Sequence, residues 1–286
     1  MARSANIKEN IVSNTSGNSN KSVVSSSHAN DKDISSSDRA RSKGIYLLPN
    51  LFTIGNIFAG FFAIVSAMNN NYKTAAIAIF VAMVFDLLDG RVARLINAQS
   101  EFGAQLDSLA DVISFGITPA LVIYNWTFLE LKSVGWGQAA WLGSFLYVAC
   151  GALRLAKFNI QEGTEDESLI SLRKKYFVGL PIPAAAAVIA SLIWISEIYS
   201  WNKMVMGFVA AAVATLVALS MVSNILYRSF KDLDLKRHVK FILLVWIVVG
   251  YMVFWRYPAQ TLFAMSFGYF LSGPIAHLIR MCRSNR

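Results

Sequence analysis

The sequence predicts an all-α integral membrane protein of about eight transmembrane helices, and three observations carry that expectation. Of 286 residues, 55% are hydrophobic and only 15% are charged, against about 25% charge in soluble domains. The apolar residues are bunched into runs approaching the roughly 20 residues that cross a bilayer as a helix. No family of alternating apolar and polar segments announces an extended sheet. A soluble helical protein would have to bury all these runs in one core, which exceeds what a chain of this size can enclose.

Residues 1–42 stand apart, rich in Ser, Asn and Lys and nearly free of aromatic residues. They read as a disordered polar tail, and with no apolar stretch after the start they are not a signal peptide. The cores of the eight spans then fall at 47–68, 74–95, 106–128, 138–158, 178–197, 204–226, 239–255 and 259–279. The third is the loosest in composition, with Asp107 and Asp111 in its first two turns. Pro258 suits a helix start, whereas Pro181, Pro183 and Pro274 fall in or near spans, where membrane helices tolerate kinks. The expected organisation is a tail over 1–42, a six-helix core carrying the chemistry over 43–226, and two further spans with a short tail over 227–286.

An even number of spans puts both termini on one side of the membrane. That side would hold 22 of the 26 Lys and Arg residues; the other keeps Lys73, Lys132, Lys203 and Arg256. Short loops alone give the same bias, so both termini are expected to be cytoplasmic. The net charge of +9 is therefore assigned to anionic lipid headgroups and not to nucleic acid. Cys150 in a span and Cys282 near the C-terminus form neither a disulfide framework nor a thiolate metal site.

The chemistry concentrates in Asp86-Leu-Leu-Asp89-Gly90-Arg91-Val-Ala93-Arg94, followed after eight residues by Gly103-Ala-Gln-Leu-Asp107-Ser-Leu-Ala-Asp111. Asp86 and Asp89 are spaced i, i+3 and Asp107 and Asp111 i, i+4, so each pair shares a helix face. A short connection lets the two faces converge at the cytoplasmic end. Four carboxylates in low dielectric repel unless cations neutralise them, and hard oxygen ligands point to one or two ions of Mg²⁺, Mn²⁺ or Ca²⁺. Gly90 and Ala93 strip side chains from one patch, either for packing against a neighbouring helix or for a flat group to lie there.

Asp86-x2-Asp89-Gly90-x2-Ala93-Arg94-x8-Gly103-x3-Asp107-x3-Asp111 resembles, at every defined position, the signature of the CDP-alcohol phosphatidyltransferases. Three further blocks are similar to the bacterial, membrane-integral members that use serine: Leu48-Pro49-Asn50-Leu51-Phe52-Thr53 with Gly55-Asn56, Ala152 to Asn159, and Tyr176 to Ala185. The resemblance covers roughly residues 45–226 and leaves the polar tail outside.

The resemblance implies a CDP-alcohol phosphatidyltransferase-like fold, a homodimer in a bacterial inner or plasma membrane, and transfer of a phosphatidyl group from CDP-diacylglycerol to L-serine. It implies two ions, Mn²⁺ or Mg²⁺, on Asp86, Asp89 and Asp107, with Asp111 as a further ligand or as general base. Arg94 would stabilise charge on the transferred phosphoryl group. The cytidine side would involve Asp89, Gly90 and Ala93, with Asn50 and Thr53 as polar neighbours or helix caps. Arg154 and Lys157 would bind the serine carboxylate or lipid phosphate, or else snorkel at the membrane edge. Asn159, Lys175 and Tyr176 form a secondary acceptor set. Two alternatives stay open: the same chemistry on glycerol phosphate, inositol phosphate or choline, and a cation-coupled transporter, for which end-clustered acids and the lack of a clear repeat are a poorer match.

Overall fold

The structure is a computed structural model that describes residues 35–96, 100–162, 176–228 and 241–284. The chain divides into residues 1–43 and a unit of 44–286. In the first, residues 1–34 lie outside the described residues, and helix α1 (Ser35–Met68) begins within the stretch expected to be tail.

After α1 come α2 (Tyr72–Leu95), α3 (Glu101–Asp111), a π-helical turn (Val112–Ile117), α4 (Thr118–Ser133) and α5 (Gly137–Glu162). Then follow β1 (Tyr176–Val178), α6 (Ile182–Tyr199), α7 (Lys203–Val222), β2 (Leu226–Arg228), α8 (Phe241–Arg256) and α9 (Pro258–Ser284). Local chemistry sets several of these ends. Ser100 caps α3 by accepting from Gly103 N at 3.0 Å, and Asn202 caps α7 by accepting from the amides of Met204 and Val205, the usual use of short polar side chains.

Helices stand at all eight expected positions, but six, not eight, are long and apolar enough to cross a membrane among the described residues. The two that differ do so for separate reasons. Helix α2 carries Lys73, Asp86, Asp89, Arg91 and Arg94, and α8 has 16 residues. Two spans are also shorter than expected, starting at Ile182 instead of 178 and ending at Val222 instead of 226. Just outside the shortened helices, Tyr176–Val178 and Leu226–Arg228 pair as a small antiparallel sheet, Tyr176 opposite Arg228 and Val178 opposite Leu226. Gly179 makes the turn from β1 into α6 with φ +78, and a Cβ there would collide with the Met221 carbonyl.

Polarity is arranged for lipid. On α1, Phe58 is 68% exposed while Ala63 is 0% exposed, so large apolar groups face outward and small ones bring helices together. Helix α6 is buried continuously from Val188 to Ser196 and is packed by α2, α7 and α9. Helix α9 is fixed to it by the Ser191 and Ser266 hydroxyls at 2.8 Å. The π turn touches α5 and α6, which places the residues just before it at a junction of helices.

Candidate active site

The acidic residues occupy the last turns of α2 and the second half of α3, which Asp111 ends. One carboxylate oxygen from each of Asp86, Asp89 and Asp107 lies within 4.8 Å of the others. The fourth acid, Asp111, is outside that trio, but its carboxyl meets that of Asp86 in a hydrogen-bonding arrangement. Two carboxylates hold such an arrangement only with a proton or a cation between them. Asp89 Oδ2 and Asp111 Oδ1 are buried with no hydrogen-bond partner among the described residues. Orphaned acceptors beside three converging oxygens fit a hard divalent cation.

The site is held by close contacts between α1 and the α3–π segment. At Gly60 a Cβ would sit 2.7 Å from Ser114 Oγ, so only hydrogen lets the helices approach this far. Ser114 donates to the Asn56 carbonyl at 3.1 Å, and Thr118 donates to Gly60 O or Ile113 O. At the other end of α3, a Cβ on Gly103 would come 3.3 Å from Asn50 Oδ1. Asn50 therefore borders the start of α3, close to the signature glycine. Thr53 is buried, donates to Pro49 O at 3.2 Å and also reaches the Asp89 carboxylate.

The Gly90–Ala93 patch is open. A Cβ on Gly90 would meet nothing nearer than Arg94 Nη2 at 4.0 Å, so no neighbouring helix demands glycine here. Arg94 is exposed and its Nε donates to Gly90 O at 2.7 Å. Its guanidinium thus lies along α2 at the rim of that patch.

The basic residues of α5 do not form one group. Arg154 interacts electrostatically with Asp111 and the α9 residue Tyr269, with its Nε buried and without a partner among the described residues. Lys157 donates to Asn224 Oδ1 at 3.3 Å, and Asn159 donates to Ser108 Oγ at 3.2 Å. Lys175 lies outside the described residues, and Tyr176 is placed by its backbone pairing in β1. The acidic segment of the α5–β1 connection beyond Glu162 is outside them as well.

Sequence reasoning missed two features of this site: the π turn immediately after Asp111, and the polar trio Asn56, Ser114 and Thr118 that knits it to α1. The signal available was small polar residues opposite Gly60. π turns recur at functional sites because the wider winding redirects side chains and frees carbonyls.

With the geometry in place, the comparisons with known proteins agree in position. The family model for CDP-alcohol phosphatidyltransferase matches residues 46–222, enclosing all four acids. A CDP-diacylglycerol–serine O-phosphatidyltransferase of Helicobacter pylori J99 is 35% identical over 84% of this chain and 94% of its own length. Proteins with the same name in Bacillus subtilis and Methanocaldococcus jannaschii are 33% and 34% identical over 64% and 66% of this chain, spanning 91% and 77% of themselves.

Proposed function

The chain belongs to the CDP-alcohol phosphatidyltransferase family, and from that premise we propose that it transfers a phosphatidyl group from CDP-diacylglycerol to the hydroxyl of L-serine. It is an enzyme of phosphatidyl transfer with an acidic cluster suited to a divalent cation. The observation that carries the reading is the meeting of Asp86, Asp89 and Asp107 within the matched segment. Serine as acceptor is supported by the names of the relatives, one of which matches over 84% of this chain.

In this reading Asp86, Asp89 and Asp107 hold the cation and Asp111 lies beside it. Two ions of Mg²⁺ or Mn²⁺ suit the charge of four carboxylates. When bound, divalent cations neutralise the donor diphosphate and the departing CMP phosphate. Gly90 and Ala93 leave room for the cytidine, Asp89 borders it, and Asn50 and Thr53 close the α1 side. Arg94, at the rim, binds the diphosphate, where charge growing on the phosphoryl oxygens strengthens its contact in the transition state.

Arg154 takes the serine carboxylate. A serine held between Arg154 and Asp111, which interact electrostatically, presents its hydroxyl to the Asp111 carboxylate. As the serine oxygen bonds to phosphorus, the bond from phosphorus to the CMP oxygen breaks. Asp111 accepts the hydroxyl proton late in that step, when the hydroxyl has become acidic. Lys157, Asn159, Lys175 and Tyr176 complete the acceptor side.

The proposal also has α2 and α8 crossing the bilayer, giving eight spans, with both termini and the site on the cytoplasmic side of a bacterial membrane. The bias of 22 Lys and Arg residues against 4 supports this sidedness, and the same charges suit anionic lipids. A homodimer belongs to this reading and is tested by light scattering in detergent.

The deciding assay supplies purified protein with CDP-diacylglycerol, Mn²⁺ or Mg²⁺, and a panel of alcohols. Serine-dependent CMP release with phosphatidylserine formed is the expected result. Turnover with glycerol phosphate, inositol phosphate or choline, and none with serine, would overturn the acceptor assignment.

A further inference from the structure

We propose that Tyr269 of α9 is a positioning residue for acceptor binding: its phenol steadies the Arg154 guanidinium. The hold on the acceptor's carboxylate then depends on a helix beyond residue 222, where the family match ends. The inference rests on reading Arg154 as the group that takes that carboxylate, and adds the residue that holds Arg154 ready.

Contacts near the start of α6 bring the two residues together. On α5, Gly151 packs so closely that a Cβ there would lie 3.3 Å from Ile182 Cδ1. Arg154 and the buried Leu155 follow at i+3 and i+4, on the same face of α5. Strand β2 carries Tyr227, fully buried and opposite Phe177 of β1, the strand that leads into α6.

Helix α9 meets them with one face. Ser266 joins the Ser191 hydroxyl of α6 at 2.8 Å. Tyr269 lies against Tyr227 with ring centroids 5.6 Å apart, and the Tyr227 phenol donates to Phe270 O at 3.4 Å. A Cβ on Gly273 would collide with the Tyr227 ring. Positions 266, 269, 270 and 273 form a single helical stripe, and Leu271 and Ile275 on the other side are exposed. Tyr269 is thus on the inward face of α9, its ring seated on Tyr227.

From there Tyr269 interacts electrostatically with Arg154, and Arg154 in turn with Asp111. Phenylalanine would supply the same ring to Tyr227; what tyrosine adds is a polar handle, which calls for a partner when it is buried. The phenol oxygen is the negative end of that group and attracts the guanidinium. An arginine stem has much rotamer freedom to lose, and fixing it before the acceptor arrives lowers the cost of binding. Arg154 Nε, buried without a hydrogen-bond partner among the described residues, keeps a donor for the incoming carboxylate.

The test is steady-state kinetics of the full-length protein in detergent, with serine and CDP-diacylglycerol varied in turn, for wild type, Tyr269→Phe, Tyr269→Leu, Arg154→Ala and Tyr269→Phe/Arg154→Ala. Thermal unfolding is followed alongside. Tyr269→Phe is expected to raise the KM for serine about three- to tenfold, the scale of one polar contact, with kcat, the KM for CDP-diacylglycerol and melting near wild type. Tyr269→Leu should match it in the KM for serine but melt lower, because the ring is lost as well. In the Arg154→Ala background, Tyr269→Phe should raise the KM for serine no further. A wild-type KM for serine in Tyr269→Phe, beside a raised one in Arg154→Ala, would overturn the inference and leave the reading of Arg154 intact. So would an equal effect of Tyr269→Phe in both backgrounds, the mark of a packing role alone. No serine turnover by wild type, or a wild-type KM for serine in Arg154→Ala, would overturn both the inference and the reading beneath it.

Discussion

Tyr147 and Phe115 are joined by a buried hydrogen bond, the phenol of α5 donating to the backbone carbonyl at 3.1 Å. The acceptor lies inside the π turn that follows Asp111, so α5 holds the segment that aims the second pair of acids. Tyr147→Phe keeps the ring and removes the donor. It is expected to lower stability by about 1 kcal/mol, measured by thermal unfolding in detergent, and to reduce kcat more than the KM for either substrate.

Gly60 makes the second prediction. Its missing Cβ would lie 2.7 Å from Ser114 Oγ and 3.1 Å from Ser114 Cα, so Gly60→Ala pushes α1 away from the π turn. Such overpacking costs about 1–3 kcal/mol and should depress phosphatidyl transfer. Removing the hydroxyl in Gly60→Ala/Ser114→Ala should recover part of the activity. A double variant no better than the single one would contradict the contact.

These two contacts mark where the sequence stops being informative. The acids were legible because helical spacing alone puts Asp86 with Asp89 and Asp107 with Asp111. Six of the eight expected spans were legible because an apolar run of sufficient length has few alternatives. Val112 to Ile117, by contrast, reads as ordinary apolar helix, and its π winding depends on partners far away in the chain, Tyr147 and Asn56 among them. The β1–β2 pair is similar, since three-residue strands 50 residues apart in sequence carry no local periodicity. Helix α2 shows the conflict directly: the charges that announce the site are those that remove it from the set of plainly apolar spans.

In the proposed reading Arg154 separates acceptor binding from donor binding. Its electrostatic interaction with Asp111 and its proposed hold on the serine carboxylate predict that Arg154→Ala raises the KM for serine by about tenfold or more, the loss of a charged hydrogen bond. The KM for CDP-diacylglycerol should change little. Steady-state kinetics with each substrate varied in turn checks this, and an equal rise in both constants would place Arg154 on the donor instead.

Cation dependence follows from the orphaned carboxylate oxygens. Chelation should abolish transfer, and adding back Mn²⁺ or Mg²⁺ should restore it. Asp86→Asn and Asp89→Asn should need much higher cation concentrations, read as a shift in the metal titration of CMP release.

The account turns on the carboxylates of α3 acting directly in the transfer step. Its most direct test is the rate of serine-dependent CMP release by Asp107→Asn and Asp111→Asn at saturating Mn²⁺, with folding verified by helicity and monodispersity. Loss of at least about a hundredfold in each is predicted, the scale of removing an acid–base group or a ligand at the reacting centre. Turnover near wild type in both folded variants would contradict it.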